Sequence, residues 1–147
     1  MYKITLNTNN ETANNGINRE WALCEYFGIE RHSHDNGSYD VASDVEAGDL
    51  KISAKASGFS LMSGSKCKGC KTFEGIWRRY YKNVHSNTWA YITKNWECYM
   101  MNKTEFSKFM HKFGVLSRES TKNGGGLKIQ SRKETKEMLE WLEMKCA

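Results

Sequence analysis

The chain has 147 residues, of which 39% are apolar and 27% charged, the size and composition of one globular domain. No stretch approaches the roughly 20 uninterrupted apolar residues that a membrane span needs, and the first residues lack the pattern of a secretory signal. We therefore expect a cytoplasmic protein without a membrane partner. Its five cysteines are an odd, scattered set, which favours reduced thiols over a disulfide framework.

The net charge of +5 is too small to predict nucleic-acid binding by itself, but the charge is unevenly distributed. Residues 30–50 contain one Arg and six acids, and residues 51–82 contain eight Lys or Arg and the single acid Glu74. The acids of the first segment are Glu30, Asp35, Asp40, Asp44, Glu46 and Asp49. An acidic segment thus leads directly into a basic one.

The first predicted element is a helix over residues 18–27, with Asn18 as its N-cap and Gly28 as its stop. A polar loop follows, and Tyr39, Val41 and Val45 then suggest a short strand before a turn at 47–49.

Residues 50–57 alternate strictly between apolar and polar side chains, which predicts a half-buried strand. The apolar face has Leu50, Ile52, Ala54 and Ala56, and the polar face has Lys51, Ser53, Lys55 and Ser57. Phe59 and Leu61 continue the alternation and predict a third strand.

Apolar residues at helical spacing from Phe73 to Val84 predict a second helix, in which Trp77, Tyr80 and Tyr81 serve packing. Two β-rich segments follow, at 88–93 and 97–101.

Asn102 and Glu105 form a capping box that predicts a third helix, and Gly114 ends it. The glycines at 124–126 predict a turn, and residues 127–130 a last strand. Ser131 and Glu134 then cap a closing helix. The predicted order is α-βββ-α-ββ-α-β-α in a single α/β domain over 1–147 with a mixed sheet.

Segments 43–46 (SDVE) and 52–57 (ISAKAS), placed between two predicted helices, resemble the core of the PD-(D/E)XK, or restriction-endonuclease-like, nuclease superfamily. The resemblance covers about residues 17–93 and leaves 94–147 as a C-terminal α/β extension. It implies a Mg²⁺-dependent DNA endonuclease in which Asp44 is the metal-binding acid and Lys55 the catalytic lysine. Residues two apart on a strand share a face, so the motif can converge on one phosphate.

The chain departs from the family pattern at Ser53, where the family has an acid two residues before the lysine. Some family members with serine at this place take the carboxylate from the following helix, which makes Glu74 a candidate catalytic and metal-binding residue. Others add an acid from the first helix, which makes Glu20 a second candidate. The predicted phosphate-binding residues are Lys51, Lys66, Lys68, Lys71, Arg78, Arg79 and Lys82.

Simpler interpretations remain open for each of these residues. Asp44 could be a turn residue, and Lys55 could lie on the solvent face of an edge strand. Glu74 could pair with Arg78 on one helix, and Glu20 could stabilise a helix N-terminus.

A structural zinc ion is not predicted, because Cys67 and Cys70 have zinc spacing without a second matching pair. Such a site would need His32, His34, Cys24 or Cys98. Polar loop residues explain the histidines without a metal.

Two classes of function follow. The first is the DNA endonuclease of a bacterial mobile element. The second is a non-enzymatic inhibitor of host defence, an anti-CRISPR or anti-restriction protein, which keeps the nuclease fold and binds a protein partner such as a CRISPR effector nuclease. The acid missing at Ser53 favours the second, and Asp44 with Lys55 favours the first. A homodimer is left open in either case.

Overall fold

The computed structural model describes residues 1–7, 16–30, 44–61, 69–118 and 127–147. Its elements run in the order β-α-ββ-α-ββ-α-ββ-α. The helices are α1 (Gly16–Phe27), α2 (Phe73–Asn83), α3 (Lys103–Phe113) and α4 (Lys136–Cys146). The strands are β1 (Tyr2–Thr5), β2 (Val45–Ala47), β3 (Leu50–Lys55), β4 (Thr88–Ile92), β5 (Glu97–Asn102), β6 (Gly114–Arg118) and β7 (Leu127–Ser131).

A mixed five-stranded sheet, in the order β1-β5-β4-β3-β2, organises the domain. The strands β3 and β4 are parallel and the other neighbours are antiparallel. A parallel pair needs a long crossover, and α2 lies in the segment that makes it. The predicted α/β class with a mixed sheet is confirmed. A separate hairpin joins β6 to β7.

Apolar side chains cover the sheet on both faces and form two cores. The core beside α1 includes Leu23, Val45, Ile52, Ala90, Ile92 and Met100. The core beneath α2, α3 and α4 includes Ile76, Tyr80, Trp89, Phe106, Phe109 and Leu142. Since side chains alternate along a strand, successive residues of β3 and β4 point alternately to the two faces of the sheet.

The predicted bounds of the two central helices are largely confirmed. The Thr72 hydroxyl accepts a hydrogen bond from the Gly75 amide at the start of α2. At α3, Asn102 and Glu105 form the predicted capping box, and Gly114 ends the helix. No helix among the described residues is both long enough and apolar enough to cross a bilayer.

Several sequence-based predictions of the elements are wrong or incomplete. Helix α1 begins at Gly16, so Asn18 lies within it and is not its cap. The segment at Phe59–Leu61 forms no third strand and pairs with β7 only through a bridge between Ser60 and Gln130. Strand β1 was not predicted, and neither was β6, which begins where α3 ends.

The fourth helix is capped by Thr135, whose hydroxyl accepts from the Met138 amide, and not by the predicted pair of Ser131 and Glu134. The Ser131 side chain is buried and accepts a hydrogen bond from the Gly58 amide. The predictions for Tyr39, Val41 and the glycines at 124–126 lie outside the described residues.

Gly114 is where the chain turns from α3 into β6 with no space for a side chain. A Cβ atom there would lie 2.4 Å from the Met110 carbonyl oxygen and 2.9 Å from the Phe73 ring. The backbone φ of −69° suits any residue, so any loss on substitution is steric. We predict that Gly114→Ala lowers the unfolding free energy by about 1–3 kcal/mol. Thermal denaturation followed by circular dichroism checks this, and an unchanged melting temperature would refute the close packing.

Candidate functional site

The hairpin of β2 and β3 places Asp44, Ser53 and Lys55 on one face of the sheet. Val45 pairs with Ile52, and the Asp44 amide continues the pairing by donating to the Ile52 carbonyl at 2.8 Å. Asp44 therefore lies opposite Ser53, on the face that α2 covers, and Lys55 follows two residues later on the same face.

The Asp44 carboxylate is held in place by the backbone of β3. Its Oδ2 atom accepts a hydrogen bond from the Ala54 amide at 2.7 Å. Because Asp44 is half-buried, this hydrogen bond replaces contact with water and fixes the orientation of the carboxylate. The carboxylate is thereby attached to the residue immediately before Lys55.

The Lys55 ammonium group lies in a densely packed environment, with its Nζ atom 5.4 Å from the centroid of the Phe59 ring. Burial lowers the pKa of Lys55, because removal of water disfavours the charged form. The Asp44 carboxylate opposes that shift, and the nearby Arg19 guanidinium adds to it. A lysine in this setting gives up its proton more readily than one at the surface.

Helix α1 brings a second pair of charges to Asp44. Burial lowers the pKa of Arg19, and the carboxylates of Asp44 and Glu20 both oppose that change. Arg19 and Lys55 thus interact with Asp44 and with each other at the β2 edge of the sheet, and Glu20 interacts with Arg19, its neighbour in the chain. We call Arg19, Glu20, Asp44 and Lys55 the charged cluster.

A buried polar layer lies next to the charged cluster. Ser53 is 1% exposed, and its hydroxyl is 2.5 Å from that of Ser86. Tyr80 of α2 accepts a hydrogen bond from the Trp89 indole at 2.8 Å. Burial raises the pKa of Tyr80, and the neighbouring Trp89 and Ser53 side chains oppose that rise. Ser53 is thus engaged in internal hydrogen bonding.

Glu74 points to a different part of the molecule. It lies in the first turn of α2, and its Oε1 atom is 2.7 Å from Nε2 of His111 on α3. This contact, and not one with Arg78, is the ion pair that the structure gives for Glu74. Of the two candidate additional acids, Glu20 therefore belongs to the charged cluster through Arg19, whereas Glu74 faces α3.

The predicted phosphate-binding residues lie at the surface wherever the structure describes them. Lys51, Lys71, Arg78 and Lys82 are exposed, and Arg79 is half-buried. Lys66 and Lys68 lie outside the described residues, as do Cys67, His32 and His34. Cys24, Cys70 and Cys98 form no disulfide bond within the part of the chain that the structure describes. Among the described residues, no group of three or more His, Cys, Asp or Glu could hold a metal ion.

Three residues near the site were missed by the sequence-based prediction. Arg19 adjoins the candidate Glu20, but nothing in the sequence links it to Asp44. Tyr80 belongs to the apolar stripe of α2, and nothing in that pattern indicates that its hydroxyl group forms a hydrogen bond. Ser86 lies between two elements, where a serine is ordinary.

No protein-family model matches the chain, and no curated protein or solved structure gives a significant match to it. The function must therefore be argued from the site itself.

The buried pair of Ser53 and Ser86 gives a direct test of the polar layer. Either Ser53→Ala or Ser86→Ala leaves one buried hydroxyl without its partner and should cost about 1–3 kcal/mol of unfolding free energy. The double variant should cost less than the sum of the two single variants, because it removes both hydroxyls. Urea denaturation of the four proteins measures this coupling, and strictly additive losses would contradict it.

Ser53→Asp is the companion variant, since it places an acid where the PD-(D/E)XK pattern has one. It should destabilise the protein by more than Ser53→Ala, because it places a carboxylate in a buried layer.

Proposed function

We propose that this chain is a Mg²⁺-dependent DNA endonuclease with the restriction-endonuclease-like core. The observation that carries the proposal is the placement of Asp44 and Lys55. A carboxylate anchored to β3 and an amine with a lowered pKa share one face at one end of a hairpin. Perturbed titratable groups brought together from separate elements are typical of catalytic sites.

The residues at the site fit a magnesium ion whose coordination shell is completed by oxygen atoms of the substrate. Mg²⁺ is commonly held by one or two carboxylates together with substrate phosphates and water, so it does not need a full protein cage. Asp44 would hold the ion, and Glu20, which lies next to Arg19 on α1, would be the second carboxylate. When bound, the ion would polarise a phosphoryl oxygen and neutralise charge on the phosphate.

The side chains of the cluster supply the remaining chemistry. Lys55 orients the attacking water and accepts its proton, a role that a lowered pKa assists. Arg19 is placed to contact a non-bridging phosphate oxygen, since a guanidinium suits phosphate geometry. Ser53 lies beneath the site, where its hydroxyl is hydrogen-bonded to that of Ser86.

The exposed basic residues would contact the DNA backbone. They are Lys51, Lys71, Arg78 and Lys82, and Lys66 and Lys68 belong to the same proposal. Phosphate contacts release counterions, so binding should weaken steeply as salt rises.

The second candidate function is a non-enzymatic inhibitor of host defence that binds a protein such as a CRISPR effector nuclease. Two observations favour it. Ser53 stands where the family has an acid, and it is buried and hydrogen-bonded. In addition, the described residues hold no group of three metal-binding side chains.

Cleavage of DNA by single-site variants tests the proposal. Asp44→Asn and Lys55→Ala should each reduce Mg²⁺-dependent cleavage by about 100-fold or more, because each removes a group that contacts the reacting atoms. Glu20→Gln should also reduce cleavage, and Glu74→Gln should not. Asp49→Asn is the matched control, since it removes a carboxylate from the exposed turn of the same hairpin.

The inhibitor function makes the opposite prediction. Well-folded wild-type protein would then cleave neither duplex, single-stranded nor branched DNA with Mg²⁺ or Mn²⁺. It would instead suppress a CRISPR effector nuclease or a restriction enzyme, and Asp44→Asn would leave that suppression intact.

A further inference from the structure

The surface between α2 and α3 contains a groove with a cavity volume of about 420 Å³, a size typical of small-molecule sites. It is lined by Trp77, Arg78, Tyr81, Thr104, Ser107 and Lys108. These six lining residues include two cations, three hydroxyl groups and no carboxylate. Of the acids close to this groove, Glu74 on α2 contacts His111, and Glu105 on α3 pairs with the N-terminal amine and interacts with Lys108.

The chemistry of the groove matches a nucleotide. Arg78 on α2 and Lys108 on α3 are both exposed, so a phosphate between the helices would meet a cation from each side. Trp77 and Tyr81 supply the aromatic part of the lining, and Tyr81 is 41% exposed. Lys103 adds a third cation, with its Nζ atom 4.0 Å from the centre of the Tyr81 ring.

The exposed side of α2 connects this groove with the charged cluster. Tyr80 lies beside Ser53, whereas Tyr81, about 100° further round the helix, faces the groove. Arg78 and Lys82 lie on the exposed surface of α2. A strand that passes over α2 would therefore meet cations on its way from one site to the other.

We propose that the groove binds one nucleotide of a single DNA strand that crosses α2 to reach the charged cluster. A helix is about 10–12 Å wide, so the strand spans about that distance between the bound nucleotide and the scissile bond. The inference rests on the proposed function for its ligand. It adds a subsite formed by α3, outside the predicted core of residues 17–93.

The preference for a single strand follows from the aromatic side chains. Stacking of bases on aromatic rings is characteristic of proteins that bind single strands, and it requires bases that are not paired. Paired bases within a duplex would offer no free face to the exposed Tyr81 ring.

The test measures the affinity of the full chain for a fluorescent single-stranded oligodeoxythymidine by anisotropy, in an Asp44→Asn background that does not cleave. Arg78→Gln and Lys108→Gln should each weaken binding by about tenfold and reduce the slope of log affinity against log salt by about one. Tyr81→Ala should weaken binding to the single strand by about fivefold or more and leave duplex binding nearly unchanged. Lys133→Gln, which removes an exposed charge ahead of α4, is the matched control and should change neither quantity.

The groove inference fails if the three groove variants bind like their parent, if Lys133→Gln weakens binding as much as they do, or if no single strand binds. Its failure is distinguishable from that of the proposed function. If wild-type protein binds DNA through Arg78 and Lys108 but never cleaves it, the proposed endonuclease function is overturned and the groove inference stands. If the groove variants bind DNA like their parent and the same substitutions leave cleavage unchanged, only the groove inference is overturned.

Discussion

The hydrogen bond from the Ala54 amide to the Asp44 carboxylate is the constraint on which the site depends. Asp44 lies just before an edge strand of three residues, a position that would otherwise leave its side chain free to turn towards water. The bond joins that side chain to β3, and pairing of β3 with β4 sets β3 against the buried sheet. The orientation of the carboxylate thus follows from the register of the central strands.

Burial of the charged groups around the Asp44 carboxylate is unfavourable for folding and shifts their pKa values. Lys55 and Arg19 both have a lowered pKa because burial disfavours their charged forms, and the carboxylates offset only part of that cost. A domain that needed only stability would place an apolar side chain at such a position. Unfavourable burial of charged groups is common at functional sites, where activity trades against stability. The polar layer of Ser53, Ser86, Tyr80 and Trp89 gives the cluster a rigid support.

The sequence was sufficient to predict the central elements, because their signals are local. The apolar stripe of α2, the capping box at Asn102 and the alternation along β3 each depend on residues within a few positions. The strands that were missed or wrongly predicted are those where a distant partner decides the structure. Strand β1 forms only through β5, almost a hundred residues away in sequence, and the Phe59–Leu61 segment meets β7 and remains a single bridge.

The same distinction applies to the candidate site. Asp44 and Lys55 could be proposed from spacing, since a hairpin joins them. The choice between Glu20 and Glu74 could not be made, because it depends on which helix packs near Asp44. The place of Ser53 in a buried hydrogen bond could not be foreseen either, since its partner Ser86 comes 33 residues later.

The central claim is that Asp44 and Lys55 act on each other in one water-poor site, and an NMR titration of the Lys55 side chain tests it most directly. In the wild-type protein the pKa of Lys55 should lie below the ordinary lysine value of about 10.4. In Asp44→Asn it should fall further, because the carboxylate that favours the charged form is gone. An ordinary pKa in the wild-type protein, or a value that does not respond to loss of the Asp44 charge, would contradict the account.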